Sequence, residues 1–325
     1  TTVRDIDFSA MTYKSLDGSV SLTITADAAK PCEFVAEGTQ PVQGGSPDQV
    51  RFDFAMGSNG LGLYRTQNIT QNRTSVGYVF PVQTHAKASL AGTWTMLQSG
   101  YTPDDGFIHW IDKMTVKADD KIDMCEIDYR STPDTCTPDT ESSLSVAARS
   151  DGGFDVNESG SAVASMYGYR SPTGALNVFG TTNPDGIRNT STVQVEETSF
   201  ILTQHQALAV PAVGTVSKYF DVQLSRLPGG PNETEAPAPD STTIASVSGN
   251  TVTRVRASDG RNDTVHFNDP LPGVRHRDAG VNPDSTPFAE VYQVTVPGAG
   301  LTVSINAKPA GPNVRHIYAP SVQRN

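Results

Sequence analysis

No window of a dozen residues in this chain places apolar side chains at i, i+3, i+4 and i+7 without a Gly or Pro intervening. A helix with a buried stripe therefore has no segment to form on. What recurs instead is short alternation of apolar and polar residues, cut by Asp-Gly, Asn-Gly and Pro-Gly steps that favour tight turns. In Gln49–Phe54, Val50, Phe52 and Phe54 fall on one side and Arg51 and Asp53 on the other, as in a half-buried strand. The expectation is an all-β protein of antiparallel β-sandwich or β-barrel domains, built from consecutive hairpins with little or no helix. Gln206–Val213, ahead of Pro211, is the one place where a short helical turn is expected.

A chain of 325 residues exceeds one ordinary domain and suggests two or three of roughly 100–150 residues. The pattern divides into an N-terminal β domain over 1–89 and a β-meander, barrel or sandwich, over 90–226. A Pro-rich linker at 227–241 follows, where prolines remove backbone donors and favour extended chain. A C-terminal hairpin region over 242–325 ends in an extended arm, Ala307–Asn325, with Pro309, Pro312 and Pro320. Gly57-Ser-Asn-Gly-Leu-Gly62 lacks a following Lys and reads as a hairpin turn, not a phosphate loop.

The formal net charge of −11 disfavours nucleic acid, whose binding needs clustered Lys and Arg on the phosphates. No apolar run approaches the roughly 20 residues that a transmembrane helix needs. The opening Thr1-Thr2 reads as a processed chain, and cysteine usage agrees with export. Cys125 and Cys136 bracket a short loop rich in turn residues, without a zinc spacing. A disulfide there would stabilise by roughly 3 kcal/mol in the chain-entropy model; two free thiols are the alternative. Cys32 is then the odd cysteine, expected as a buried thiol. Asn-x-Ser/Thr sequons stand at Asn68, Asn72, Asn157, Asn189, Asn232 and Asn262, and matter if the source glycosylates secreted proteins.

The hydrolase elbow, the HExxH helix, the Walker loop and a strand-anchored GxGxxG are all missing, so the reading leans away from an enzyme. His/Asp pairs such as His109 with the acidic segment, or His266 with Asp263 and Asp269, keep a secreted hydrolase using Asp, Glu or His as an alternative. No cofactor is expected, with one low-ranked option. Asp123, Glu126, Asp128, Asp134 and Asp139, crowded around the cysteine loop, offer the oxygens Ca²⁺ prefers. A second constellation comes from an echo, Pro272-Gly-Val-Arg-His276 and Pro312-Asn-Val-Arg-His316. Side by side, Arg275, His276, Arg315 and His316 would form a cationic pocket for a carboxylate, sulfate or phosphate.

Gly92-Thr-Trp94 opens the meander and resembles the G-x-W that begins the first strand of lipocalin- and avidin-type barrels. The resemblance implies a closed barrel with Trp94 packed across one end, and a lipocalin-like carrier of a small apolar molecule as an alternative function. The leading expectation is a non-catalytic exported β protein, outside the cytoplasm, acting as a surface, binding or self-assembling component. Its partners would be proteins or its own copies, engaged through edge strands or the C-terminal arm.

Overall fold

The computed structural model describes residues 5–15, 20–42, 45–102, 106–127, 143–182, 197–226, 233–285, 287–306 and 316–324. It is all-β, with antiparallel sheets forming barrels and half-barrels. The first sheet is a seven-stranded meander of β1 (Asp5–Asp7), β2 (Thr12–Lys14), β3 (Ser21–Ala26), β4 (Glu33–Gln40), β5 (Asp48–Met56), β6 (Gly62–Asn68) and β7 (Arg73–Val79). It curls over Tyr13, Leu22, Ile24, Ala36, Val50 and Phe54. The Gly57–Gly62 stretch is the β5–β6 hairpin turn, and Gly60 takes the left-handed conformation at φ +78° that glycine tolerates best.

The second sheet contains β8 (Gly92–Thr102), β9 (Gly106–Val116), β10 (Ile122–Ile127), β11 (Leu144–Ala148), β12 (Phe154–Glu158), β13 (Ser161–Arg170), β14 (Leu176–Thr182) and β15 (Glu197–Gln204). β15 returns to pair with β8 along its length. The far edges meet at the Lys121–Ser145 bridge, reinforced by Val146 N–H donating to Asp120 O at 2.9 Å. The resulting barrel is filled with apolar side chains, including Trp94, Met96, Met114, Phe154, Met166 and Phe200.

The third sheet holds β16 (Val216–Asp221), β17 (Leu224–Arg226), β18 (Glu233–Thr234), β19 (Ala238–Ser248), β20 (Thr251–Arg256), β21 (Asn262–Phe267), β22 (Val274–Arg277), β25 (Val291–Val296), β26 (Leu301–Asn306) and β27 (His316–Gln323). A separate ribbon joins β23 (Gly280–Val281) to β24 (Pro287–Phe288). Pairing of β16 with both β19 and β27 closes the ring. This barrel is closed by main-chain pairing all the way round, and so leaves few free edges.

Several expectations change. The strand at Tyr219–Leu224, read as the end of the middle meander, pairs into the third barrel instead. Ala238–Asp240, read as linker, is the start of β19, because its one proline, Pro239, is tolerated at a strand end. Within the expected C-terminal arm, residues 316–323 are the barrel strand β27. Gln206–Val213 has no helical turn; the one short helical turn among the described residues is the 3₁₀ segment Lys87–Leu90. Cys32 is exposed, not buried, because it occupies the tight turn that enters β4 with φ +68°.

The three sheets share one apolar seam. Leu61 and Leu63 from the first sheet and Leu97, Phe179 and Ile201 from outside the second barrel meet Val294, Leu301 and Val303 of the third. Polar ties run alongside: Tyr169 Oη donates to Asn59 O at 2.6 Å, and Thr95 Oγ1 to Pro272 O at 3.0 Å. In the third barrel the apolar side chains of β25–β27 therefore face outward, into this seam. Alternation then turns the intervening residues inward.

Candidate functional site

Most of those intervening residues are polar, Val291, Ile317 and Ala319 being the apolar ones. Gln293 and Thr295 on β25, Thr302 and Ser304 on β26, and Ser321 and Gln323 on β27 line a cavity of about 990 Å³. On the opposite wall β20 and β22 contribute Arg254, Arg256, Arg275 and Arg277, and the β20–β21 turn adds Arg261, with Asp263 of β21 among them. The barrel is thus apolar on much of its outside and arginine-lined within, the inverse of the second barrel.

The arginines are unequally satisfied. Asp263, 1% exposed, receives Arg254 at 3.2 Å and Arg261 at 2.8 Å, with Arg277 at 4.0 Å. Arg256 pairs with Asp259 and lies 3.9 Å from Asp240. Arg277 donates to Ala289 O at 2.7 Å and lies over the Phe288 ring, but its Nε has no acceptor among the described residues. Arg275 has no carboxylate partner among the described residues. Its guanidinium donates to Thr302 Oγ1 at 3.0 Å, packs 5.7 Å from the Phe267 centroid, and keeps a buried Nε without an acceptor.

Burial and the charge of Arg254 push Arg275 down to about 9, and burial likewise brings Arg277 to about 9. Both stay charged at neutral pH. Asp221, on the same lumen wall, moves the other way: burial first and Asp240 second raise it to about 6. The lumen therefore holds more fixed positive charge than its own carboxylates neutralise. Beside the arginines, Ile244, Val252, Val265 and Phe267 make an apolar stretch of wall, backed by Leu208 and Val210. An arginine fork next to an apolar surface suits an organic anion.

Of the Val-Arg-His echo, only Arg275 has a described place in this lumen. His276, one residue along β22, points to the outer face, stacked on Tyr292 at 4.8 Å and with its Nδ1 3.2 Å from Asp269 Oδ2. His316 lies on β27, three strands further round, with its ring 6.4 Å from that of His109. Arg315 is outside the described residues. Arg275 and His276 serve opposite faces of β22 because strand alternation sends neighbours to opposite sides, and His316 stands apart from both on β27. His109 is buried, and burial with His316 depresses it to about 3, so it stays neutral and lacks the basicity of a catalytic His. His266 faces Thr251 and Asp278 across its own sheet, and Asp263 is taken up by arginines.

Trp94 is 3% exposed and donates from Nε1 to Leu90 O at 2.8 Å. It roofs a packed interior and lines neither the arginine cavity nor a second, aromatic cleft of about 1010 Å³. The apolar side chains of this cluster occupy the interior in which a carrier site beneath Trp94 was expected. Asp123 of the expected Ca²⁺ set is ion-paired with Lys117 at 2.7 Å. Glu126 belongs to β10, while Asp128, Asp134, Asp139 and Cys136 lie outside the described residues. Cys125 is buried on β10.

Sequence reasoning missed Arg254, Arg256, Arg261 and Arg277 as a group. The signal was present: Thr251-Val-Thr-Arg-Val-Arg256 and Val274-Arg-His-Arg277 each put Arg at alternate positions of one strand. No helix among the described residues is long and apolar enough to cross a membrane.

No family model and no curated protein matches the chain. Among solved structures it is similar to the transferrin binding protein B of serogroup B Neisseria meningitidis, at 8% identity and a TM-score of 0.30. That match covers 94% of this chain and 58% of the other, so the chain spans a little over half that protein's length. A protein of unknown function from Nostoc punctiforme matches at 9% identity and TM-score 0.22, over 75% of this chain and 100% of its own. A candidate outer membrane protein of Bacteroides fragilis matches at 13% and 0.22, over 74% and 100%. None of the three is near enough to carry a function to this chain.

Proposed function

We propose that this chain is an exported, non-catalytic binding protein whose third barrel holds a small organic anion. The observation that carries the reading is Arg275: a buried cation in a roomy lumen, with no carboxylate partner among the described residues. A ligand carboxylate, sulfate or phosphate would supply the missing acceptor, and an apolar body would rest on Val252, Val265 and Phe267. Without that ligand the barrel carries an uncompensated internal charge, which folding alone does not favour. Export is supported by the close pairing in sequence of Cys125 and Cys136 around a turn-rich loop. Contacts with other proteins would use the exposed edge of the first sheet at β1.

The test is calorimetric titration of the whole protein with octanoate, octyl sulfate and inorganic phosphate, with octanol as the uncharged control. Saturable binding of an octyl anion, lost in Arg275→Met and absent for octanol, is expected. Equal binding of octanol would remove the arginine lumen from the account, and failure of all three anions would end the reading.

A further inference from the structure

On the outer face of the same barrel, away from the lumen, two histidines stand directly opposite one another. β21 and β22 pair with His266 against His276, and the row continues to Thr251 on β20 and Tyr292 on β25. Directly paired residues on antiparallel strands bring their Cβ atoms to about 5 Å, and here the two rings lie 5.5 Å apart, tilted by 34°. Asp278, two residues beyond His276, falls on the same face. One ligand atom from each of His266, His276 and Asp278 lies within 4.8 Å of the others.

We infer that His266, His276 and Asp278 form a binding site for a divalent transition-metal ion, with Zn²⁺ the fitting case. A tetrahedral Zn²⁺ with bonds near 2.0–2.1 Å sets its ligand atoms on the order of 3.3 Å apart. His266 Nε2 is already 3.1 Å from Asp278 Oδ1, so one edge of that polyhedron exists. The third vertex falls to His276, whose ligand atom lies within 4.8 Å of the other two.

The supports of a metal site are also in place. Thr251 Oγ1 lies 3.0 Å from His266 Nδ1, which leaves Nε2 as the ligand atom. Asp269 lies 3.2 Å from His276 Nδ1, the carboxylate-to-imidazole contact that commonly orients a metal-bound ring. His276 Nε2 approaches Glu290 at 2.6 Å but makes no well-directed hydrogen bond, and the atom is buried. A metal ion would use that lone pair. Asp269, Asp278 and Glu290 also give the site a negative surround, whereas two imidazoles favour Zn²⁺, Cu²⁺ or Ni²⁺ over Ca²⁺ or Mg²⁺.

The test is equilibrium dialysis of the whole protein against Zn²⁺ alone, in a Cys32→Ser background that removes the exposed thiol. Co²⁺ replaces Zn²⁺ in a parallel run, read by its visible d–d bands. One ion per chain is expected, with the apparent Kd at least about tenfold weaker in His266→Ala, His276→Gln and Asp278→Asn. Asp259→Asn, outside the cluster, retains native binding, and circular dichroism verifies that each variant is folded. No uptake by the Cys32→Ser protein, or full uptake by a folded His266→Ala/His276→Gln double variant, overturns the site. Neither result bears on anion binding in the lumen, which Arg275 governs.

Discussion

Arg275 and His276 are consecutive residues of β22 that serve opposite sides of one barrel wall. The guanidinium of Arg275 enters the lumen and reaches Thr302, while the imidazole of His276 lies outside on Tyr292. The strand's two-residue period alone separates an anion-seeking group from a metal-ligating one. A substitution at either position should therefore affect its own face only.

Arg275→Met isolates the lumen. Replacing a buried charge that lacks a counter-ion by an apolar side chain of similar length removes a desolvation cost. The ligand-free variant is expected to be as stable as the native protein or more so, by about 1 kcal/mol or more, while octanoate binding disappears. Calorimetric unfolding with and without octanoate reads both effects. A clear loss of ligand-free stability would show Arg275 to be a structural group.

With three cysteines in the chain, the proposed Cys125–Cys136 disulfide can be counted directly. Cys32 is exposed and free, so a thiol titration of denatured, unreduced protein should find one reactive thiol, and three after reduction. Three before reduction would eliminate the Cys125–Cys136 bond, and with it the main support for export.

Asp221 gives the lumen a pH dependence of known sign. Its carboxyl is raised to about 6, well above the usual carboxylate range, by burial and Asp240. The folded state then holds a proton that the unfolded state has released, so the group's destabilising effect grows as pH rises from about 4 to about 6. Above that it stays constant. Asp221→Asn should raise Tm at pH 7 and leave it nearly unchanged at pH 4. Equal gains at both values would mean that the carboxyl does not titrate in this window.

His109 acts in the opposite sense. Burial and His316 lower it to about 3 from 6.5, so the unfolded state takes up a proton first and stability falls as pH drops from about 6.5 towards 3. His109→Gln should flatten that part of the Tm profile. An unaltered acid limb in the variant would place the sensitivity elsewhere.

The sequence was most legible where backbone chemistry is local. Asp120 at φ +69° and Gly174 at φ +89° sit in tight turns built from the turn-forming residues Asp119-Asp120 and Ser171-Pro-Thr-Gly174. The half-buried reading of Gln49–Phe54 holds for Val50 and Phe54, but Asp53 is also buried, held by Arg65 and Arg51. Long-range pairing was not legible. Closure of the third barrel depends on β16 meeting β27 across about a hundred residues, and no local pattern encodes which strands meet. The same limit hid the arginine lumen: Arg254 and Arg275 come together only when β20, β21 and β22 are laid side by side. The His266–His276 pair was missed for that reason too: the sequence sets His266 beside Asp263 and Asp269 and His276 in the Val-Arg-His echo, and nothing local places one opposite the other.

Gly180 tests whether the second barrel is as tightly filled as its apolar cluster indicates. It pairs with Phe200 across β14 and β15, and the phenyl ring lies over the glycine. A Cβ at 180 would sit 2.2 Å from Phe200 Cζ and within 2.8 Å of two further ring atoms. Phe200 is 6% exposed and packed in the cluster that contains Trp94 and Met166, so the ring has no open space to enter. Overpacking of this kind costs about 1–3 kcal/mol. Gly180→Ala should lower the urea midpoint accordingly, and Gly180→Ala combined with Phe200→Leu should recover part of the loss relative to Phe200→Leu alone. Strictly additive effects would mean that the ring and the glycine do not touch, and the interior around Trp94 would then have room that the packed arrangement denies it.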